Sequence, residues 1–308
     1  MLKKIPVIID TDPGIDDAVA LAAAFACDKL DIKLISTVSG NVGIENTSSN
    51  ALKLVEFFNK DIKVSKGAEK PLIKECEHAP HIHGESGMDG YDFPKLKKSV
   101  YEKNSVEAMK EILQESDEKI TLVTIGPLTN IATLFLAYPK VKEKIEKIVI
   151  MGGSSGRGNV TPAAEFNIYA DPDAAKIVFK SGVKIVVCGL DITSTATLDI
   201  PTINKLKNMN KTGEMLYSLF KHYRDGSIEK GNLQMHDLTT IAYLDRPDLF
   251  ESNEAFVDIE VSGEYTKGFM VVDFDGKYNK EKNAEFCTKI DVLGLRKWII
   301  DLFNNINI

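Results

Sequence analysis

The sequence predicts an α/β fold: an open, mostly parallel central sheet with helices on both faces, to which C-terminal helices and a small β-hairpin are added. Short β-rich runs alternate with helical patterns through most of the chain, the order that strands joined by crossover helices require. Several strand candidates are continuous apolar runs instead of alternating ones, as strands covered on both faces are. The loops that follow these strands are polar or glycine-rich, and in open α/β sheets ligands bind beyond the carboxyl ends of the strands.

Ile5–Ile9 reads as the first strand and ends at Asp10. Asp16–Ala26 reads as the first helix, with acidic residues in its first turn, where they favour the macrodipole. Its apolar run, Ala18–Cys27, is ten residues long, against the roughly 20 of a membrane-spanning helix, so it reads as a buried helix. Strands are then expected at Ile32–Ser39, Ile62–Ser65, Ile120–Ile125, Lys147–Met151 and Lys184–Cys188. Between them, helices are expected at Glu45–Asn59, Ser105–Gln114, Leu128–Ala137 and Pro172–Lys180, the last opened by Asp171-Pro172. The last hundred residues change pattern: helices near 201–224 and 237–244, strands Ala255–Ser262 and Gly268–Phe274 joined by a turn, then Phe286–Ile290 and a final helix. With no internal repeat or low-complexity linker, residues 1–308 are expected to form one domain.

Composition narrows the function. A chain of 308 residues that is 44% hydrophobic and 27% charged buries a sizeable core. Its 45 acidic residues outnumber 38 Lys and Arg, for a net charge of −7, which argues against nucleic acid as a partner. Cys27, Cys76, Cys188 and Cys287 lie far apart without paired spacing, and read as reduced, mostly buried thiols. The stretch Met1–Ile9 is too short for a secretory core. A cytoplasmic protein with no membrane association is expected.

Four carboxylates, Asp10, Asp12, Asp16 and Asp17, crowd the turn after the first strand, with Pro13-Gly14 forcing a tight bend between the pairs and no basic residue among them. Their repulsion calls for a hard divalent cation, which takes oxygen ligands. Taken singly, Asp10 reads as a cap or turn residue. Downstream, Asp237 precedes an apolar helical stretch as an N-cap would, but its neighbour His236 makes the pair a candidate metal ligand beside a proton donor. His78, His81 and His83 fall in an irregular stretch rich in Gly and Pro, which reads as a mobile loop over a pocket or a solvated loop. Glu165 and Asn167, two apart, share a side if their stretch is extended, and would offer an acceptor and an amide to a polyhydroxylated ligand.

The stretch Asp10-Thr-Asp-Pro-Gly-Ile-Asp-Asp17 resembles the N-terminal signature of the nucleoside hydrolases, the inosine-uridine type N-ribohydrolases. The resemblance extends in order through Val38-Ser-Gly-Asn41, His81-Ile-His-Gly-Glu-Ser-Gly87, Gly126-Pro-Leu-Thr-Asn130, Met151-Gly-Gly153, Ala164-Glu-Phe-Asn167 and His236-Asp237. It implies hydrolysis of the N-glycosidic bond of a ribonucleoside to base and ribose, and a Ca²⁺ held by Asp12, Asp17, the main-chain oxygen of Ile125 and Asp237. It further implies ribose contacts from Asp16, Asn41, Glu165 and Asn167, with Met151 and Asn159 lining the sugar pocket. Asp12 would activate a metal-bound water; His236, or a loop histidine such as His83, would assist departure of the base. A homo-oligomer, dimer or tetramer, is implied as well.

Two other readings are weighed beside it. Haloacid-dehalogenase-like phosphatases also place Asp-x-Asp after a first apolar strand, but Pro13 and the immediate second acidic pair depart from that pattern. A non-catalytic, metal-dependent nucleoside binder would keep the pocket without turnover, and the presence of both Asp12 and His236 argues against it. By the resemblance, residues 221–235 occupy the region that shapes the base side in relatives, with His222, Tyr223 and Gln234 as candidate contacts among which the sequence does not choose, so base preference is left open.

Overall fold

The computed structural model describes residues 3–224, 228 and 231–306. The first half alternates strand and helix: β1 (Ile5–Thr11), α1 (Ile15–Ala26), β2 (Leu30–Thr37), α2 (Ile44–Phe57) and β3 (Val64–Lys66). A one-turn α3 (Pro80–His83) precedes α4 (Ser105–Glu115), β4 (Ile120–Thr124), α5 (Thr129–Ala137) and β5 (Ile145–Met151). Then come α6 (Phe166–Ala170), α7 (Pro172–Phe179), β6 (Ile185–Cys188) and α8 (Leu190–Thr193). β7 (Thr197–Leu198) and β8 (Leu233–Gln234) form a small antiparallel pair around α9 (Ile200–Lys207) and α10 (Lys211–Phe220). The chain closes with α11 (Leu238–Asp245), β9 (Phe250–Ile259), β10 (Met270–Asp273), β11 (Ala284–Ile290) and α12 (Val292–Asn304).

Among the described residues the main sheet has nine strands in the order β10-β9-β11-β6-β5-β4-β1-β2-β3. The run from β3 to β6 is parallel. β11 adds to β6 in parallel, and β9 and β10 finish that edge antiparallel, so the C-terminal hairpin extends the sheet. β9 begins at Phe250, earlier than the expected Ala255, because Glu251–Glu254 is polar and exposed and gives no apolar signal.

Both faces are covered, which explains the unbroken apolar strands. Along β1, Val7 and Ile9 join a core with α1, α11 and α12, while Ile8 turns to the other face and a core with α4 and α5. β5 and β6 repeat the division, Val149 and Val186 on one side, Ile148, Ile150, Ile185 and Val187 on the other. α1 is buried from Ile15 to Phe25, and the five alanines in that range let neighbours approach from every side.

The chain reverses direction of growth between β1 and β4, which lie side by side while β2 is on the far side of β1. Such a switch point leaves a crevice between diverging loops at the strands' carboxyl ends. Asn130 ties it together. Its Nδ2 donates to Asp10 Oδ1 (2.8 Å) and to the Thr37 carbonyl (2.9 Å), and its Oδ1 accepts from Ala68 N (2.8 Å), linking α5, β1, β2 and the loop after β3. Asn130→Ala removes these hydrogen bonds, leaving Asp10 Oδ1 with Ser36 alone, and should lower unfolding free energy by about 2–3 kcal/mol. A urea titration measures this, and a wild-type midpoint would contradict it.

Candidate active site

The crevice holds a cavity of about 370 Å³, within the range of small-molecule sites. Its lining includes Asp16, Asn41, Ile125, Met151, Glu165 and Asn167. His83, Tyr223, Arg224, His236, Asp237 and Asn159 line it too, and Asp16 meets this second group directly: its Oδ1 lies 3.8 Å from His83 Nδ1 and its Oδ2 accepts from Tyr223 Oη (3.3 Å). Every one of the sequence-predicted site residues except Asp12 and Asp17 lines this cavity, and those two lie fully buried beneath it.

β1 delivers Asp12 into a slot between two loops. Oδ2 accepts from Asn41 N (2.7 Å), and Oδ1 is buried with no partner. A Cβ on Gly40 or on Gly126 would run into this carboxylate, which is why both loops carry glycine there. Asp17, in the first turn of α1, accepts from Gly14 N (3.0 Å), Thr11 Oγ1 (2.5 Å) and Asn41 Nδ2 (3.1 Å). Asp237 stands at the N-cap position of α11 but makes no side-chain cap bond, so its carboxylate is free for the cavity floor. Carboxylate oxygens of Asp16, Asp17 and Asp237 all lie within 4.8 Å of one another. Asp12 is outside that trio, although the Asp17 charge acts on it.

Burial, followed by the charge of Asp17, pushes the Asp12 carboxyl well above the usual carboxylate range. Asp17 rises to about 7, through burial and then repulsion from Asp16, and Asp237 is raised by burial and then by Asp16. Water-stripped carboxylates this close stay ionised only with a cation among them. The oxygen-only donor set, the clustering and the unpartnered oxygens of Asp12 and Asp16 fit a hard divalent ion.

Glu165 corrects one expectation. The stretch is not extended: Glu165 caps the short helix α6, accepting at Oε1 from Asn167 N (3.0 Å) and at Oε2 from Gly153 N (2.9 Å) and Ile168 N (3.2 Å). The cap brings Glu165 and Asn167 to the same cavity by another route. Asn167 Nδ2 donates to the carbonyls of Met151 (3.1 Å) and Ile125 (3.2 Å), orienting the latter at the cavity floor. Asn159 Oδ1 accepts from Phe166 N (2.9 Å) and steadies the start of α6.

The histidine loop is more ordered than the sequence suggests. It carries α3, whose last residue, His83, is buried and accepts at Nδ1 from Ile15 N (3.1 Å). Burial lowers His83 to about 4, against the nearby Asp16 charge, and lowers His236 to about 4 likewise. His236 Nδ1 lies 2.8 Å from Thr193 Oγ1, and its Nε2 lies 2.8 Å from Arg224. Thr193 and Arg224 escaped the sequence reading; the polar segment after α10 was the only signal for Arg224. His222 does not line the cavity, Tyr223 does, and Gln234 reaches it through Arg224. Residues 225–227, 229 and 230 of this segment lie outside the described residues. Three of the four cysteines are buried as expected, and Cys76 is exposed.

Residues 7–297 match the family model of the inosine-uridine preferring nucleoside hydrolases. The chain belongs to this family. It is 49% identical over 303 residues to the non-specific ribonucleoside hydrolase RihC of Salmonella typhi, covering 98% of this chain and 99% of that protein. A plant nucleoside hydrolase superposes with a TM-score of 0.91 at 30% identity, over 98% of this chain and 99% of its own. The purine-preferring ribonucleoside hydrolase of Gardnerella vaginalis does so with 0.91 at 27%, over 98% of each chain. The chain is thus a nucleoside N-ribohydrolase, and the phosphatase alternative falls away. Among the described residues no helix is long and apolar enough to cross a membrane.

Asp10 and Glu165 are also raised to about 7, both chiefly by burial. Unfolded, such carboxyls titrate near 3.8 and 4.5, so between there and about 7 the folded chain holds more protons. Stability without metal should therefore fall as pH rises across that window. A divalent cation that binds only the folded cluster offsets this. The expected result is a melting temperature that drops from pH 5 to pH 8 in chelator and recovers by about 5 °C at pH 8 in saturating Ca²⁺. Melting that is indifferent to both pH and cation would contradict the account.

Proposed function

We propose that the chain performs Ca²⁺-dependent hydrolysis of purine and pyrimidine ribonucleosides, with Asp12 as general base and His236 assisting departure of the base. The observation that carries this is the lining of the cavity, which brings buried carboxylates together with two buried imidazoles and a guanidinium. Ca²⁺, held by Asp12, Asp17, the Ile125 carbonyl and Asp237, would supply Lewis acidity and a grip on vicinal hydroxyls.

The chain's own residues do the rest. Asp16, Asn41, Glu165 and Asn167 bind the ribose hydroxyls, with Met151 and Asn159 shaping the sugar pocket. Their fixed hydrogen bonds mean that little reorganisation is needed when ribose arrives. The surrounding negative charge favours a sugar that gains oxocarbenium character as the C–N bond stretches. Asp12 takes the proton of the water that attacks the anomeric carbon; its unpartnered oxygen supports that role. His83 and His236, neutral near pH 7, face the base. A carboxylate and an imidazole end thus replace the two carboxylates of an O-glycosidase.

The similar proteins differ in stated base preference, non-specific in one case and purine-preferring in another. A broad range serves nucleoside salvage by a cytoplasmic homo-oligomer. Release of base from inosine, adenosine, uridine and cytidine measures that range; turnover of purines alone would narrow it. Asp12→Ala should lower kcat by about 10²–10⁴-fold with the fold intact by circular dichroism. Wild-type turnover in that variant would remove Asp12 from the mechanism.

A further inference from the structure

Arg224 and His236 both line the cavity, and Arg224 holds His236 at Nε2. A guanidinium donates hydrogen bonds and accepts none. The 2.8 Å contact between Arg224 Nη2 and His236 Nε2 therefore runs from arginine to histidine, and the imidazole proton sits on Nδ1, 2.8 Å from Thr193 Oγ1. In this arrangement His236 presents no N–H to the cavity. His83 keeps a neutral N–H at Nε2, since its Nδ1 accepts from Ile15 N, and the charged N–H groups belong to Arg224, whose Nη1 donates to Gln234 Oε1 (2.6 Å) and whose Nε is buried without a partner.

Two further observations show that Arg224 is held in place. Its backbone has φ +50°, a left-handed conformation that a non-glycine residue adopts at a cost. Its N–H donates to the Ile82 carbonyl (2.9 Å), fastening this segment to the histidine loop. Among the described residues lining the cavity, Arg224 is the sole permanent cation.

We propose that Arg224 is the group that receives the charge of the departing base, and that His236 acts as a positioning residue by accepting from it. The inference rests on the hydrolase reading above. When the C–N bond breaks, its electron pair leaves on the base nitrogen, the water oxygen bonds to the anomeric carbon, and the water proton passes to Asp12. The base departs as an anion beside Arg224 and is protonated from solvent. A fixed cation beside the departing base stabilises that charge without rearrangement.

The test compares inosine with 4-nitrophenyl riboside, whose nitrophenolate is already a stable anion. Arg224→Gln should lower kcat/KM for inosine by about 10²-fold and leave nitrophenyl riboside within about threefold of wild type. Arg224→Lys should recover part of the loss on inosine. Because His236 acts through Arg224, the double variant Arg224→Gln/His236→Ala should lose no more than the worse single variant. Equal losses on both substrates, no loss on either, or multiplied losses in the double variant would overturn the proposal. Circular dichroism and the melting temperature check folding of each variant independently of turnover. Wild-type failure to release ribose from inosine would instead remove the hydrolase reading itself.

Discussion

Asp12, Asp17 and Asp237 are buried at the floor of one crevice, and Asp16 is nearly so. Like charges in that position are costly unless a cation lies among them, and this constraint organises much of the molecule. β1 must end at the switch point so that its loop enters the crevice, and Gly40 and Gly126 must lack side chains so that Asp12 fits between them. Asn41 and Asn167 then hold the cluster and the Ile125 carbonyl in place. Asn130 secures the strand ends from behind.

The same constraint brings both kinds of charge into one cavity. The strand ends, α1 and the start of α11 supply carboxylates, which favour a sugar that turns cationic. α3, the segment after α10 and the turn into α11 supply His83, Arg224 and His236, and Asp16 lies 3.8 Å from His83 Nδ1. A heterolytic cleavage puts positive character on the sugar and negative on the base. Much of the carboxylate set is fixed by the sheet and α1, while His83 and Arg224 come from connections that can vary without disturbing it.

How much of this was legible in the sequence follows from the range of each signal. β1 and α1 were plain because their apolar runs and the acidic turn between them are local. The six parallel strands were recognisable for the same reason, since both faces are covered and most carry a short apolar run, such as Val7–Ile9 and Ile185–Cys188. The joining of β11 to β6 was not, because pairing across nearly a hundred residues leaves no local mark. Glu165 was placed in the site for its spacing to Asn167, yet its helix cap is a tertiary outcome that spacing alone does not reveal. Arg224 was missed because its role comes from a partner, His236, that the fold brings beside it, and an arginine in a polar segment looks like any solvated charge.

The central claim is that the buried carboxylates form a divalent-cation site. Equilibrium dialysis against Ca²⁺ tests it most directly, without reference to activity. One ion should be retained per wild-type chain, and none per chain of the folded double variant Asp17→Asn/Asp237→Asn. Absence of bound ion in the wild type, or equal retention by the two proteins, would contradict the account.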